Sequence, residues 1–164
     1  MAFFRYLAIV ALAVWVGGLV ALAGIAAPAI FEVLQAHDAE TGRQLAGEVF
    51  GLILGRFQYV AWAAAALLFL SYGSRAALGP RPHRTAIRIW VVAAMLAASL
   101  VIVFVIVPNV DAIRMSVDGA VAMLPADDAR RIAFGRWHGL ASVLSLATIV
   151  GGLGLAWAEL GDRY

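Results

Sequence analysis

Four long stretches of the chain consist of apolar and small residues, and charged residues stand only at their borders. They cover residues 6–31, 57–74, 89–110 and 137–158. His138 is the only acidic or basic residue within them. At a rise of 1.5 Å per residue, a helix of this length crosses a hydrocarbon layer of about 30 Å. The apolar residues do not alternate as in a barrel strand, and lipid cannot hydrate backbone groups. The pattern predicts an all-α integral membrane protein that forms a four-helix bundle.

The charges of the connections predict how this bundle is oriented. The middle connection carries four arginines and no acidic residue: Arg75, Arg81, Arg84 and Arg88. Arginine-rich connections stay in the cytoplasm, so we expect an antiparallel bundle with both termini on the cytoplasmic side. Pro80 and Pro82 predict a non-helical turn there, and the arginines would contact anionic lipid. We expect the membrane to be a bacterial inner membrane.

The two remaining connections, residues 32–56 and 111–136, mix acidic and basic residues and are predicted to form caps on the outer side. Thr41-Gly42-Arg43-Gln44 fits a capping box, which places the start of the second helix near Thr41. Pro125 followed by acidic residues places the start of the fourth helix near residue 125. Pro28 predicts a kink in the first helix. We find no internal repeat in the sequence.

Composition narrows the possible chemistry. Hydrophobic residues make up 64% of the 164 residues and charged residues 13%, which is expected of one transmembrane domain over residues 1–164. The chain has no cysteine, so thiolate metal sites and cysteine nucleophiles are excluded. It also has no lysine, and no basic aromatic surface that would bind nucleic acid. We find no nucleophile with a base and therefore predict no catalytic residue.

One group of polar residues is a candidate site, because the predicted topology brings it to a common depth near the outer leaflet. Its members are Glu32, Arg56, Gln58, Asn109, Arg136, His138 and Ser142. Ionisable groups at membrane depth are costly and often mark a ligand or proton site, and His138 with Glu32 could bind a metal ion. The alternative is structural: such side chains also reach to lipid headgroups or pair within the protein.

Four short motifs resemble the transmembrane-protein-205-like family of small four-span membrane proteins. They are Trp15-Val16-Gly17-Gly18, Ala27-Pro28-Ala29-Ile30-Phe31, Ala46-Gly47-Glu48-Val49-Phe50 and Phe134-Gly135-Arg136-Trp137-His138. The resemblance covers most of the chain and implies a four-helix membrane bundle. It also implies a link to drug or metal-complex resistance, which is attributed to animal members of that family. It supplies no set of catalytic residues.

Three functions remain open from the sequence. The first, which we favour, is transport or export of a small solute, drug or metal complex through an outward-facing polar site, in a possible homo-oligomer. The second is a haem-associated or redox membrane enzyme, because Trp15-Val16-Gly17-Gly18 also looks like the first span of four-span protoporphyrinogen oxidases. The chain lacks the first-span histidine and the lysine of those enzymes, so neither haem nor a metal ion is strongly indicated as cofactor. The third is an accessory subunit that binds a partner through small residues.

Overall fold

The computed structural model describes residues 2–38, 41–78 and 84–161, and this part of the chain is almost entirely helical. Four helices account for it: α1 (Ala2–His37), α2 (Thr41–Leu78), α3 (Thr85–Met115) and α4 (Ala129–Gly161). Each is long and apolar enough to cross a membrane. The prediction of an all-helical, four-span bundle is therefore confirmed, and the chain is an integral membrane protein. The predicted turn at Pro80 and Pro82 lies outside the described residues.

The four helices pack as two antiparallel hairpins. The first hairpin joins α1 to α2 and the second joins α3 to α4, and they meet along α1–α4 and α2–α3. The bundle has two halves. The terminal half comprises residues 2–20, 58–78, 84–100 and 146–161 and includes the predicted cytoplasmic end, whereas the cap half comprises residues 21–38, 41–57 and 101–145.

The second helix begins at Thr41 as predicted, but the group that caps it is a different one. The backbone amide of Thr41 donates to Oδ1 of Asp38 at 3.0 Å, and Gln44 bonds Glu48 one turn onward instead of reaching back. An aspartate three residues before an exposed helical amide satisfies one of the unpaired donors of a helix start. The capping-box interpretation was therefore wrong about the chemistry of the cap.

The fourth helix begins later than predicted, at Ala129 rather than near residue 125. Pro125 opens a turn in which the amide of Asp128 bonds the carbonyl of Pro125 at 3.1 Å. The Asp128 carboxylate then accepts from the backbone amide of Arg130 at 2.8 Å and pairs with its guanidinium at 2.8 Å. Because this side chain supplies the cap, the helix starts immediately after it.

Helices α1 and α3 each contain a π-helical segment at the same place relative to a proline. These segments are Leu22–Ala26 and Ile102–Ile106, and Pro28 and Pro108 follow each of them by two residues. Corresponding positions are 80 residues apart, since 102 − 22 and 108 − 28 are both 80. A π-helical segment loosens the regular hydrogen bonding of a helix. A π-helical segment thus precedes Pro28, and the kink at this proline stays a prediction.

The same spacing of 80 residues relates some of the buried positions of the two hairpins. In α1 and α3 the matched pairs are Ala8 and Arg88, Leu12 and Val92, Trp15 and Met95, and Leu19 and Ser99. In α2 and α4 they are Leu68 and Thr148, Tyr72 and Gly152, and Arg75 and Leu155. These shared positions indicate a repeat of the two hairpins, which our sequence analysis did not find, although other buried residues of α2, such as Ala61, Ala64 and Ser71, have no buried counterpart in α4. Matched positions share their burial but seldom their residue type, so the sequence conceals the relation.

The core lies mainly in the terminal half. There Trp15, Leu68 and Tyr72 are at most 1% exposed and pack in one cluster with small alanines. In the cap half neither of the helical stretches that follow the π-helical segments, Ala27–His37 and Val107–Met115, contains a buried residue. The buried residues of α4 all belong to its last half: Thr148, Gly152, Leu155 and Glu159. The two ends of the bundle are therefore packed differently.

Candidate functional site

A buried cluster of charged side chains lies at the terminal end of the bundle. Glu159 of α4 is fully buried and pairs with Arg75 of α2 at 2.8 Å and with Arg88 of α3 at 2.6 Å. Both arginines are themselves at most 4% exposed. Removing charges from water is costly unless they are paired and hydrogen-bonded, and here one carboxylate receives two guanidinium groups. The cluster thus joins three of the four helices.

The fourth helix, α1, is attached to the same cluster through Arg5. Its Nη2 donates to the backbone carbonyl of Glu159 at 2.6 Å, and Nη2 of Arg88 donates to the neighbouring carbonyl of Ala158 at 3.1 Å. Carbonyl groups near the end of a helix have no partner within the helix and carry its negative partial charge. Two guanidinium groups therefore cap the C-terminal turns of α4.

Tyr72 completes the surroundings of this cluster. Its side chain is fully buried, and Arg75 Cζ lies 6.0 Å from the centre of its ring. Its hydroxyl makes no well-formed hydrogen bond within the described part of the chain. Next to Tyr72 in α2, the Ser71 hydroxyl donates to the backbone carbonyl of Phe4 in α1. This hydrogen bond connects α2 to α1 at the level of the cluster. The Tyr72 hydroxyl is therefore a buried polar atom beside the cluster, at a level where α1 and α2 are hydrogen-bonded to each other.

The cluster connects the two hairpins at one end of the molecule. Arg5 and Arg75 come from the first hairpin, whereas Arg88 and Glu159 come from the second. Opening the bundle at this end would separate buried opposite charges, which is unfavourable unless water or a solute replaces them. We call Arg5, Arg75, Arg88 and Glu159 the terminal clamp.

A second buried polar group lies between α2 and α3, toward the middle of the bundle. The Ser99 hydroxyl donates to Oε1 of Gln58, and Nε1 of Trp62 donates to the Ser99 oxygen at 2.9 Å. The ring of Trp62 stacks on Phe104 of the π-helical segment, with ring centres 6.0 Å apart. Interhelical hydrogen bonds of this kind stabilise helix association in lipid. Gln58, predicted as part of a ligand site, is 5% exposed and occupied by this network.

The other predicted site residues lie on the surface of the cap half. Glu32, Arg56, Asn109, Arg136, His138 and Ser142 are all exposed. The Asn109 amide bonds the carbonyl of Val105 at 2.7 Å, and the Ser142 hydroxyl bonds the carbonyl of His138 at 2.9 Å. Within the described residues, no hydrogen bond or ion pair joins any two of Glu32, Arg56 and His138. The shared ligand site of these residues stays a prediction.

A metal site is a related prediction, with His138 and Glu32 as ligands. Across residues 2–38, 41–78 and 84–161, no three His, Asp or Glu side chains are grouped so that they could hold a metal ion. The ring of His138 instead lies parallel to that of Phe134, with centres 6.2 Å apart. Arg114 of α3 lies over the same Phe134 ring, with its Cζ 5.7 Å from the ring centre. In the cap half, the contact of Arg114 with Phe134 thus joins α3 to α4.

Comparison with known proteins gives one family. A model of a domain of unknown function, DUF4149, matches residues 10–117, about two thirds of the chain. The chain belongs to the DUF4149 family. Neither the curated proteins nor the solved structures include a match to it. The matched segment of this DUF4149 protein contains both π-helical segments and the arginines of the terminal clamp other than Arg5.

Sequence reasoning missed the terminal clamp because its acidic member stands just beyond the predicted fourth span. Glu159 follows Thr148, Gly152 and Leu155 at steps of four, three and four residues, which places all four on one helix face. It is also one of only two acidic residues on the predicted cytoplasmic side, among many arginines. Arg75 and Arg88 were interpreted as lipid contacts, but in this DUF4149 protein they point into the bundle.

Proposed function

We propose that this protein carries a small solute, drug or metal complex across the membrane, and that its two hairpins move against each other during transport. The proposal includes the expected orientation, with the terminal half facing the cytoplasm of a bacterial inner membrane. The observation that carries it is the unequal packing of the two ends. One end is held by the terminal clamp, whereas the other has few buried side chains and two π-helical segments.

The repeat supports this proposal by a general argument. Many transporters consist of two related halves that rock about a site between them. Here the hairpins are related by a constant spacing, and the terminal clamp joins one to the other. The π-helical segments lie at matching positions and would let both hairpins bend at the same depth. The resemblance to the transmembrane-protein-205-like family favours drugs or metal complexes as the transported class.

Tolerance of toxic compounds is the experiment that tests this function. The full chain is expressed in a bacterial host, which is then exposed to metal salts, metal complexes and membrane-permeant aromatic drugs. We expect the inhibitory concentration to rise for at least one class. A Glu159→Gln variant should lose the gain because the clamp no longer holds the closed end. The matched control is Glu48→Gln, a change at an exposed glutamate in the cap half. Unchanged tolerance for every class, at membrane levels verified by immunoblot, would contradict transport.

The exposed face of α4 favours a second candidate, an accessory subunit. Gly135 and Gly139 are exposed, and a Cβ added at either would meet nothing within 4 Å. Small residues on a helix face let another helix approach closely. Purification from native membranes in a mild detergent discriminates the two. A stoichiometric partner band that is lost in a Gly139→Leu variant would favour the accessory role.

A further inference from the structure

The carboxylate of Glu159 lies between two helices other than its own. Nη1 of Arg75 in α2 lies 3.0 Å from Oε1 and 2.8 Å from Oε2, and Nη1 of Arg88 in α3 lies 2.6 Å from Oε1. Both arginines are buried. Charge-assisted hydrogen bonds from arginine are a common means by which proteins recognise a carboxylate ligand. Helices α2 and α3 therefore present a carboxylate-binding pair of arginines, which α4 fills with its own side chain.

The hydroxyl of Tyr72 adds a buried polar atom beside this pair of arginines. The Tyr72 side chain is 0% exposed, and the charged groups that act on its hydroxyl are those of Glu159, Arg88 and Arg75. Within the described residues the hydroxyl makes no well-formed hydrogen bond. A phenol can donate one hydrogen bond and accept others, and burying it without a partner is unfavourable. The hydroxyl is thus available to a hydrogen-bonding group that enters between the two arginines.

The described terminal half also carries an excess of positive charge. Its basic residues are Arg5, Arg75, Arg84 and Arg88, and Glu159 is its only acidic residue. Arginine does not lose its proton in proteins, so this positive charge persists at any physiological pH. A site lined by charges of one sign raises the local concentration of ions of the opposite sign. An anion is therefore attracted to this end of the bundle, whereas a free metal cation is repelled.

The terminal clamp lies at the end of the bundle, where water-soluble molecules arrive. Arg5 and Arg88 each stand three residues after the start of their helices. Arg75 stands three residues before the end of α2, and Glu159 two residues before the end of α4. All four are thus within one helical turn of a helix end, and Gly161 at the end of α4 is exposed. With this end facing the cytoplasm, an anion reaches the clamp without crossing the hydrocarbon layer.

We propose that Arg75 and Arg88 form a cytoplasmic binding site for a small carboxylate anion, and that Glu159 occupies this site while the clamp is closed. The incoming carboxylate takes over the hydrogen bonds of the two guanidinium groups and accepts a further one from the Tyr72 hydroxyl. Glu159 turns to water at the end of α4. The exchange replaces one anion by another, so the buried arginines keep a counter-charge throughout.

This assignment rests on the proposed function, for which it names the class of solute. The class comprises small carboxylates, together with drugs or metal complexes that carry a carboxylate group. Carboxylates are favoured over other anions because the arginines already hold one, and Nη1 of Arg75 reaches both of its oxygens. A phosphate group has more oxygens and a larger volume than the carboxylate whose place it would take.

Broadening of the carbon NMR signal of carboxyl-labelled acetate measures the binding of such an anion directly. The full chain is reconstituted in phosphatidylcholine nanodiscs, and acetate is titrated at constant ionic strength against sodium chloride. We expect saturable broadening with the wild-type protein. Glu159→Gln removes the internal competitor and should tighten acetate binding about tenfold. The absence of saturable binding to the wild-type protein would overturn the proposal, as would unchanged or weaker binding to Glu159→Gln.

Arginine variants test whether the binding site is the terminal clamp. Arg88→Gln should weaken acetate binding about tenfold or more, because a charged donor to the anion is lost. The matched control, Arg136→Gln, removes the charge of an exposed arginine in the cap half and should leave the affinity within about twofold. Arg75→Gln replaces Arg88→Gln if the latter does not fold. Equal losses in the clamp variant and the control would show a response to net charge alone and contradict the site.

Tyr72→Phe separates a role of the hydroxyl in binding from a role in packing, because it keeps the ring. Acetate binding should weaken about fivefold. The midpoint of thermal unfolding should not fall, since the hydroxyl makes no well-formed hydrogen bond in the closed clamp. A lower midpoint together with unchanged acetate binding would show a purely structural hydroxyl and contradict its assignment to the anion.

Competition and lipid composition identify the class of anion and its source. Propionate should displace acetate, whereas inorganic phosphate at the same concentration should not. Displacement by phosphate as strong as that by propionate would overturn the assignment to carboxylates. Nanodiscs that contain phosphatidylglycerol should still support acetate binding. A complete loss of binding in them would show that the arginines hold a lipid headgroup, which would also overturn the proposal.

The outcomes separate this proposal from the transport function. Acetate binding that requires Arg88, in a protein that confers no tolerance to any compound, would support the site and contradict transport. Tolerance that persists in a folded Arg88→Gln variant would support transport and contradict the terminal clamp as the site of the solute.

Discussion

The terminal half and the cap half use the same four helices, but different forces hold them together. The terminal half has a packed core that includes Trp15, Leu68 and Tyr72, and Glu159 forms buried ion pairs with two arginines there. In the cap half α1 and α3 widen into π-helical segments, and α4 has no buried residue before Thr148. The cap half also carries most of the charged residues, but they lie largely on its surface, whereas the charges of the terminal clamp are mostly buried.

The stability of the two halves in lipid depends on how closely their helices pack and on the polar contacts between them. Apolar side chains gain little by leaving an apolar solvent, so close packing and polar contacts between helices decide how tightly they associate. The terminal half has both, through the glycine contact of Gly152 on Val16 and through the terminal clamp. The cap half has aromatic contacts and few interhelical hydrogen bonds. We therefore expect motion of the bundle to be concentrated in the cap half.

The largest expected effect concerns Glu159. Glu159→Ala would leave Arg75 and Arg88 buried without their carboxylate, which should destabilise the protein by roughly 3 to 5 kcal/mol. The measurement is the midpoint of thermal unfolding in detergent, followed by size-exclusion chromatography. The cap-half control, Glu32→Ala, removes an exposed glutamate and should change stability by less than about 0.5 kcal/mol. Equal effects of the two variants would abolish the distinction between the halves.

A glycine pair on α4 gives the next largest effect. Gly152→Val should cost about 1 to 3 kcal/mol, because the new side chain would overlap Val16. Gly139→Val, about three and a half turns earlier on the same helix, enters open space and should be nearly neutral. Thermal unfolding of both variants in the same detergent compares them. A cost at Gly139 as large as that at Gly152 would mean that the cap half is closed.

Loss of the hydrogen bonds that join Gln58, Trp62 and Ser99, near the boundary of the two halves, should have a smaller effect on stability. Ser99→Ala removes both the donor to Gln58 and the acceptor for Trp62, and should cost about 0.6 to 1.7 kcal/mol. The emission of Trp62 should shift as its indole loses its partner. This is measured in a background where the other tryptophans are phenylalanine. An unchanged emission maximum would show that the network does not form in lipid.

How much of this architecture is visible in the sequence depends on the level of detail. The spans followed from apolar length alone, since lipid allows few alternatives for the backbone. The start of α2 at Thr41 was also found, although the cap is Asp38. The start of α4 was misplaced by four residues because a proline at a first helical turn and a proline in a preceding turn look alike. Local patterns thus located helices better than they located the groups that cap them.

The candidate site was harder to predict because it depends on which face of each helix is buried. The residues grouped by depth, such as Glu32 and His138, lie on exposed faces. Arg75 and Arg88, in contrast, were taken for membrane-surface arginines although they point inward. The depth of a residue in the membrane follows from its position in the sequence. Whether its side chain points into the bundle or toward lipid depends on how the helices pack. Glu159 could have been found by extending the Thr148, Gly152 and Leu155 stripe past the apolar run.

The smallest expected effect lies in the cap outside the membrane. The side-chain and backbone hydrogen bonds from Arg130 lower the pKa of Asp128 from 3.8 to about 2. A lowered pKa means that the cap is fully present above pH 3.8 and is lost as the pH falls toward 2. A carbon-detected NMR titration of the Asp128 carboxyl should show the low midpoint. Arg130→Gln should return it toward 3.8, and an unaltered midpoint would mean that the contact is not formed.

Distances between paired spin labels would show whether the hairpins are fixed at the terminal end and mobile at the cap end. The chain has no cysteine, so labels can be placed without background. One pair joins Phe3→Cys to Trp157→Cys, and the other joins Ile25→Cys to Val143→Cys, all at exposed positions. We predict a narrow distance distribution for the first pair and a broad one for the second, with Glu159→Gln broadening the first. Equally narrow distributions at both ends, unaffected by Glu159→Gln, would contradict the account.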